Sequence, residues 1–277
     1  MKSTAFEQFD LSGKSAFVTG GGTGIGYNVS HALLKSGARV MIAARREEVL
    51  ADAARRLMES VEGGEVYCTR LDLSDRNSVE EVADHATSRL GGVDIFVANA
   101  GKDVITPVDK VDYGDIDAMY QVNVASNMRL VTAFLPYMRK NQWGRIIFIS
   151  SILAKLASTR EHLGLYCSAK AALNSYARSV AAESGRDGIT VNNINPGLHH
   201  TAMLQEFIDA SVEAHGPQFA DEFVNSINSQ TILGRMGRTD EIEGVIQLLA
   251  SEAGSYITGT DITLDGGMSI LLKPNPL

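Results

Sequence analysis

Seven short apolar runs recur along the chain at helix-length intervals: SAFVTG (15–20), ARVMIAA (38–44), EVYCTRLD (65–72), VDIFVANAG (93–101), GRIIFIS (144–150), GITVNNINPG (188–197) and TGTDITLDGG (258–267). A strand with one wet face alternates apolar and polar residues, whereas these runs are nearly continuous in apolar side chains. They therefore belong to a sheet covered on both faces. Strands of that kind separated by helical segments predict an α/β, doubly wound parallel sheet of about seven strands with helices on both faces. Helix punctuation agrees: Ser74 and Asp75 can cap a helix through NSVEEVADHATSRL, and Gly91-Gly92 can close it.

Composition narrows the function classes. At 277 residues, 44% apolar and 21% charged, the chain reads as a compact soluble protein. Its formal charge of -8, with no cluster of Lys and Arg, speaks against a nucleic-acid binder. Two cysteines, Cys68 and Cys167, are too few for a disulfide framework or a metal site, and both read as small core residues. The N-terminus lacks the apolar run of a signal peptide, and no stretch is long and apolar enough for a membrane span. The expectation is a cytoplasmic protein without a membrane partner.

The first strand turns into the first helix through TGGGTGIG, with Gly20, Gly24 and Gly26 at the turn. Glycines there let the backbone approach a pyrophosphate, whose charge meets the helix N-terminus. The spacing resembles the T-G-x-x-x-G-x-G turn of the short-chain dehydrogenase/reductase family. Further matches follow in order: Asp72 with Leu73, Asn99-Ala100-Gly101, Asn123, Ser151, Tyr166-x-x-x-Lys170, Pro196-Gly197 and Thr201, then an R-x-G to D-G-G segment reaching residue 268. The resemblance implies a single Rossmann-fold oxidoreductase domain over residues 1–277. It also implies a dinucleotide held by Gly20, Gly22, Thr23, Gly24, Ile25, Gly26, Asp72, Leu73, Asn99, Ala100, Gly101, Tyr166, Lys170, Pro196, Gly197 and Thr201.

The second strand ends in VMIAARREE, where Ala44 stands in the place of the Asp of NAD-preferring relatives and Arg45-Arg46 follow. A carboxylate there binds a ribose 2′-hydroxyl, and a guanidinium pairs with a 2′-phosphate. The expected cofactor is NADP(H) rather than NAD(H), bound by Arg45 and Arg46, unless the two arginines pair with Glu47 or Glu48.

Helical spacing from Tyr166 puts Lys170 one turn further on the same face. A phenol has an ordinary pKa of about 10, so a nearby cation is expected to lower it for proton exchange near neutrality. The resemblance makes Tyr166 the general acid/base, Ser151 the hydroxyl that positions the reacting oxygen, and Lys170 a ribose ligand. It makes Asn123 the holder of a relay water. Strand alternation lets only one of Ser150 and Ser151 face the site, and the resemblance selects Ser151.

Ser151 and Tyr166 lie fifteen residues apart, slightly more than is usual in the family, and Arg160 and His162 in that loop are either substrate contacts or solvated charges. His199-His200 lacks carboxylate or thiol partners, so no metal is expected. Residues 198–232 break the rhythm and form a candidate substrate lid. There Met203, Leu204, Phe207, Ile208, Phe219 and Phe223 either line the pocket or form the inner faces of lid helices.

The expected activity is hydride transfer between the nicotinamide and a ketone, aldehyde or secondary alcohol. The alternatives are an NAD-dependent sugar or polyol dehydrogenase, a 3-oxoacyl reductase, and a non-catalytic dinucleotide-sensing regulator. The resemblance further implies a homotetramer paired through the long helices after the fourth and fifth strands. The tail SILLKPNPL either crosses to a neighbour or frays.

Overall fold

A computed structural model describes residues 6–157, 162–216 and 218–271. Seven strands, β1 (Ser15–Thr19), β2 (Arg39–Ala44), β3 (Val66–Arg70), β4 (Ile95–Ala98), β5 (Gly144–Ile149), β6 (Ile189–Pro196) and β7 (Asp261–Leu264), form one sheet in the order β3-β2-β1-β4-β5-β6-β7. Every pairing is parallel, with Phe17 opposite both Met41 and Phe96. All seven expected strands are present.

Alternation along the strands feeds two apolar cores. Phe17, Phe96 and Phe148 face one side, where α3 (Arg76–Leu90), α5 (Ser126–Asn141) and α6 (Gly164–Ser184) contribute Val79, Phe134 and Leu173. Ala16, Val18 and Ile147 face the other, where α1 (Gly24–Lys35), α2 (Glu47–Ser60) and α9 (Glu243–Ala250) contribute Leu33, Leu50 and Ile246. The Phe134 ring packs edge-on against Phe17 and Phe96, each at 5.4 Å between centroids. Burying each such ring contributes about 2–3 kcal/mol by area alone.

One strand departs from the expectation. Cys68 is exposed rather than a core residue, on β3 at the edge of the sheet, and its thiol donates to the Leu50 carbonyl at 3.3 Å. Cys167 is half-buried on α6. The α3 helix is capped as the sequence suggests at Asp75, whose carboxylate accepts from the Asn77 N–H at 2.9 Å, and ends at Gly91 in the left-handed region.

From β1 the chain winds out to β3, then returns to the other side of β1 at β4. The strands therefore diverge between β1 and β4, and their carboxyl ends open a crevice there, where α/β sheets bind ligands. Between β6 and β7 lie α7 (Ala202–His215) and α8 (Gln218–Asn228). Ile208 and Ile227 are buried, and the Phe219 and Phe223 rings stack at 5.7 Å. These two isoleucines occupy the inner faces of the helices, while the side chains of Met203 and Phe207 lie outside the description. Arg160 and tail residues 272–277 are outside the described residues as well.

Candidate active site

The glycine turn sits at the crevice. Gly20 and Gly24 have positive φ (68° and 54°), which a side chain would oppose. A Cβ on Gly26 would run into the Gly20 carbonyl oxygen, and one on Gly20 would lie 2.7 Å from Asn99 Nδ2. Thr23 starts α1 without a side-chain cap, so the first N–H groups of the helix have no side-chain acceptor from it. A turn kept free of Cβ atoms at these points and leading into an uncapped helix start fits a dinucleotide pyrophosphate. Replacing Gly26 with Ala is expected to cost roughly 1–3 kcal/mol in thermal unfolding, as overpacking does, and to weaken nicotinamide dinucleotide binding in a fluorescence titration.

Thr19 ties this turn to β4. Its hydroxyl accepts from the N–H groups of Asn99 and Ala100, each at 3.0 Å, while Asn99 Nδ2 donates to the Thr19 and Gly20 carbonyls at 3.0 and 3.2 Å. Thr19 was within the glycine motif but its hydroxyl role was not legible there. Across the crevice, the Thr201 hydroxyl caps α7 by accepting from the Leu204 N–H at 3.2 Å. Its methyl lies close to where a Cβ on Gly24 would stand. Pro196 ends β6, and the Gly197 N–H donates to the Leu264 carbonyl at 2.9 Å.

Just after β3, Asp72 accepts from the Ser74 hydroxyl and N–H at 2.6 and 2.9 Å. The Ser74 contacts, seconded by the charges of Arg45 and Arg70, hold its carboxyl below the usual carboxylate range. Leu73 is buried, and its carbonyl accepts from the Ser126 hydroxyl at 2.6 Å. Arg45 and Arg46 are exposed and, among the described residues, make no ion pair with Glu47 or Glu48.

Ser151 follows β5, and its hydroxyl accepts from the Leu153 N–H at 3.1 Å and shares a hydrogen bond with the Tyr166 hydroxyl. Ser150 instead lies against the Lys170 carbonyl at 3.4 Å. Ser151, and not Ser150, thus meets the phenol. Lys170 is buried on the next turn of α6; its ammonium donates to the Ile149 carbonyl at 2.9 Å and lies 5.6 Å from the centre of the Tyr166 ring.

The electrostatics correct the expectation that the lysine lowers the phenol. Burial pushes Tyr166 up to about 12, opposed by the Ser151 hydrogen bond and reinforced by the Asp103 charge. Burial also pulls Lys170 down to about 8. The ammonium donates to the Ile149 carbonyl and lies 5.6 Å from the ring centre, and desolvation is the largest influence on both groups.

Asn123 lies in a wide, π-type turn, Gln121–Ala125, between α4 (Tyr113–Tyr120) and α5, where the Ser126 N–H reaches back to the Gln121 carbonyl. Its amide oxygen accepts from the Lys102 N–H at 2.9 Å and its Nδ2 donates to the Lys102 carbonyl at 2.7 Å. Both ends of the side chain meet backbone, so the side chain clamps the chain just after Gly101. The Asn123 carbonyl accepts from Asn127 Nδ2 at 2.9 Å, a contact that the sequence did not suggest. A Cβ on Gly101 would stand 2.9 Å from Asn123 Oδ1 and 3.5 Å from Lys170 Nζ, so the bare glycine permits this approach.

His199 is buried; its Nδ1 donates to the Gly197 carbonyl at 3.0 Å and its ring covers Gly237, whereas His200 is exposed. Among the described residues no three His, Cys, Asp or Glu side chains gather as a metal would require. No helix among them is long and apolar enough to cross a membrane. His162 has positive φ (83°), and its carbonyl accepts from the Thr106 N–H at 3.2 Å.

The family pattern for short chain dehydrogenases matches residues 14–211. The chain belongs to that family. The 7alpha-hydroxysteroid dehydrogenase of Escherichia coli K12 is 31% identical over 259 residues, covering 93% of this chain and 94% of that protein. Among solved structures, the L-sorbose reductase of Gluconobacter frateurii, complexed with NADPH and L-sorbose, has a TM-score of 0.90 at 29% identity, over 96% of this chain and all of that one (100%). The gluconate 5-dehydrogenase of Burkholderia cenocepacia J2315, in complex with NADP and tartrate, has a TM-score of 0.85 at 29% identity, over 97% and 100% of the two chains. This short-chain dehydrogenase thus shares its fold with relatives of several substrate types, all oxidoreductases by name.

Proposed function

We propose that this dehydrogenase uses NADP(H) to interconvert a ketone or aldehyde with the corresponding alcohol. The observation that carries the reading is the Tyr166–Ser151 hydroxyl pair, with buried Lys170 one helical turn on from Tyr166. When bound, the nicotinamide supplies or accepts the hydride. Tyr166 gives its proton to the carbonyl oxygen in reduction and takes it back in oxidation. Ser151 donates a hydrogen bond to the same oxygen and steadies its developing charge. Lys170 holds the nicotinamide ribose, Asn123 keeps the Gly101–Lys102 backbone in register, and α7 with α8 covers the substrate.

The choice of NADP(H) over NAD(H) rests on two guanidinium groups after β2, Arg45 and Arg46, without an ion-pair partner among the described residues, and is consistent with the NADPH and NADP in the sorbose reductase and gluconate dehydrogenase structures. Replacing Arg45 with Ala is expected to lower kcat/KM for NADPH roughly 10- to 100-fold, the loss of a charge-assisted contact, with NADH changed little. Measuring both cofactors with one substrate checks it, and an unchanged NADPH/NADH ratio removes Arg45 from the phosphate site.

By family resemblance the assembly is a homotetramer joined through α5 and α6, whose outer groove carries Leu135, Pro136 and Tyr176. The activity itself is tested by following NADPH absorbance against a panel of a keto sugar, a 3-oxoacyl ester, a ketosteroid and simple ketones. Tight cofactor binding with no turnover on any of them would replace catalysis by a sensing role.

A further inference from the structure

We infer that Asp103 is a specificity-determining carboxylate at the mouth of this active site, selecting neutral hydroxylated carbonyl compounds over keto acids. The inference rests on Tyr166 being the reacting acid and refines that reading.

The loop that carries Asp103 is anchored on both sides. Before it, the backbone of Lys102 is held at both N–H and carbonyl by Asn123, at 2.9 and 2.7 Å. After it, Val104 packs in the same apolar cluster as Tyr166, Met119 and Ala169. Two residues further, the Thr106 N–H donates to the His162 carbonyl at 3.2 Å, and the Thr106 hydroxyl donates to Asp115 at 3.1 Å. The residue between Lys102 and Val104 is therefore held, by contacts on either side of it, on a loop that packs against the same apolar cluster as Tyr166. It is exposed and has no ion-pair partner among the described residues. Its negative charge acts on the Tyr166 phenol, as proximity requires.

A carboxylate so placed has two effects on a substrate whose carbonyl oxygen meets Tyr166 and Ser151. It accepts a charge-assisted hydrogen bond from a hydroxyl on a neighbouring carbon. It also repels a substrate carboxylate held at short range, most strongly at low salt. Attraction for one class and repulsion for the other act in the same direction, which is how selectivity exceeds affinity.

The test uses unreactive ligands, so it does not depend on turnover. Protein loaded with NADP+ is titrated in a calorimeter with erythritol and with erythronate, a neutral polyol and an aldonate of equal chain length. The polyol is expected to bind about tenfold more tightly at low salt, and the gap to narrow at 1 M salt. In Asp103→Asn the gap should fall below threefold, with bound NADP+ stoichiometry reporting that the variant is folded. In Lys102→Gln, a charge change one residue away, the gap should move less than twofold. Equal affinities in the unmodified protein, tighter aldonate, binding of neither ligand, an unchanged gap in Asp103→Asn, or a larger shift at Lys102 than at Asp103 overturns the inference. Failure of the Tyr166 reading is a separate result: no NADPH oxidation with any carbonyl while the binding gap persists.

Discussion

Replacing Tyr166 with Phe is expected to lower kcat/KM for carbonyl reduction by about 10²- to 10⁴-fold, the range of a positioned general acid. The side chain packs against the apolar cluster of Met119, Val124 and Ala169, and phenylalanine keeps that contact. What is lost is the hydroxyl hydrogen-bonded to Ser151, so the dissociation constant for NADPH should change little while turnover collapses. Because burial pushes the phenol up to about 12, Tyr166 is protonated throughout the physiological range. The reduction rate of the unmodified enzyme should then show no loss of its acid below about pH 10, whereas oxidation, which needs the phenolate, should rise toward alkaline pH. Stopped-flow absorbance of NADPH over pH 6–10 measures both. Activity within tenfold of the unmodified enzyme would remove Tyr166 from the chemistry.

Replacing Lys170 with Met should abolish most turnover and at the same time change the pH dependence of stability. Burial lowers the lysine from its ordinary 10.5 to about 8. Between those values the unfolded chain binds a proton that the folded protein does not, so stability rises with pH across that window. Below about pH 8 the cost of a buried ammonium is fully present, and above 10.5 it is gone. The full swing is about 3 kcal/mol, and methionine has no such titration. In urea unfolding, the stability of Lys170→Met relative to the unmodified protein should therefore fall steadily as pH is raised from 8 toward 10. Parallel curves for the two proteins would show that Lys170 keeps its ordinary titration in the fold.

The strands and the order of the motifs were legible because each rests on local chemistry. Apolar runs mark doubly covered strands, glycines mark the turn, and the i to i+4 spacing puts Tyr166 and Lys170 on one face. The preference for Ser151 over Ser150 rests on alternation joined to the resemblance. Features set by tertiary surroundings were not legible. Cys68 sits in an apolar run like the others, and only the strand order makes β3 an edge. The Tyr166 and Lys170 protonation energies depend on desolvation, which spacing does not encode. The π-type turn lies in YQVNVASN, whose composition reads as uninterrupted helix, and the Asn123 clamp on Lys102 joins residues 21 positions apart.

That wide turn also acts as a phase adjuster. A helix advances about 100° per residue, so an extra residue held in one turn rotates everything after it by that angle. Leu130, Phe134 and Met138 reach the core only with this offset in place, while Asn123 reaches the cleft from the turn itself. The Asn123 clamp on Lys102 and core registry are thereby joined in the same five residues. A single-residue deletion there would misdirect both, whereas point changes in the adjoining Asp103 loop leave that registry alone. Divergence of substrate choice has a place to occur that the fold does not police.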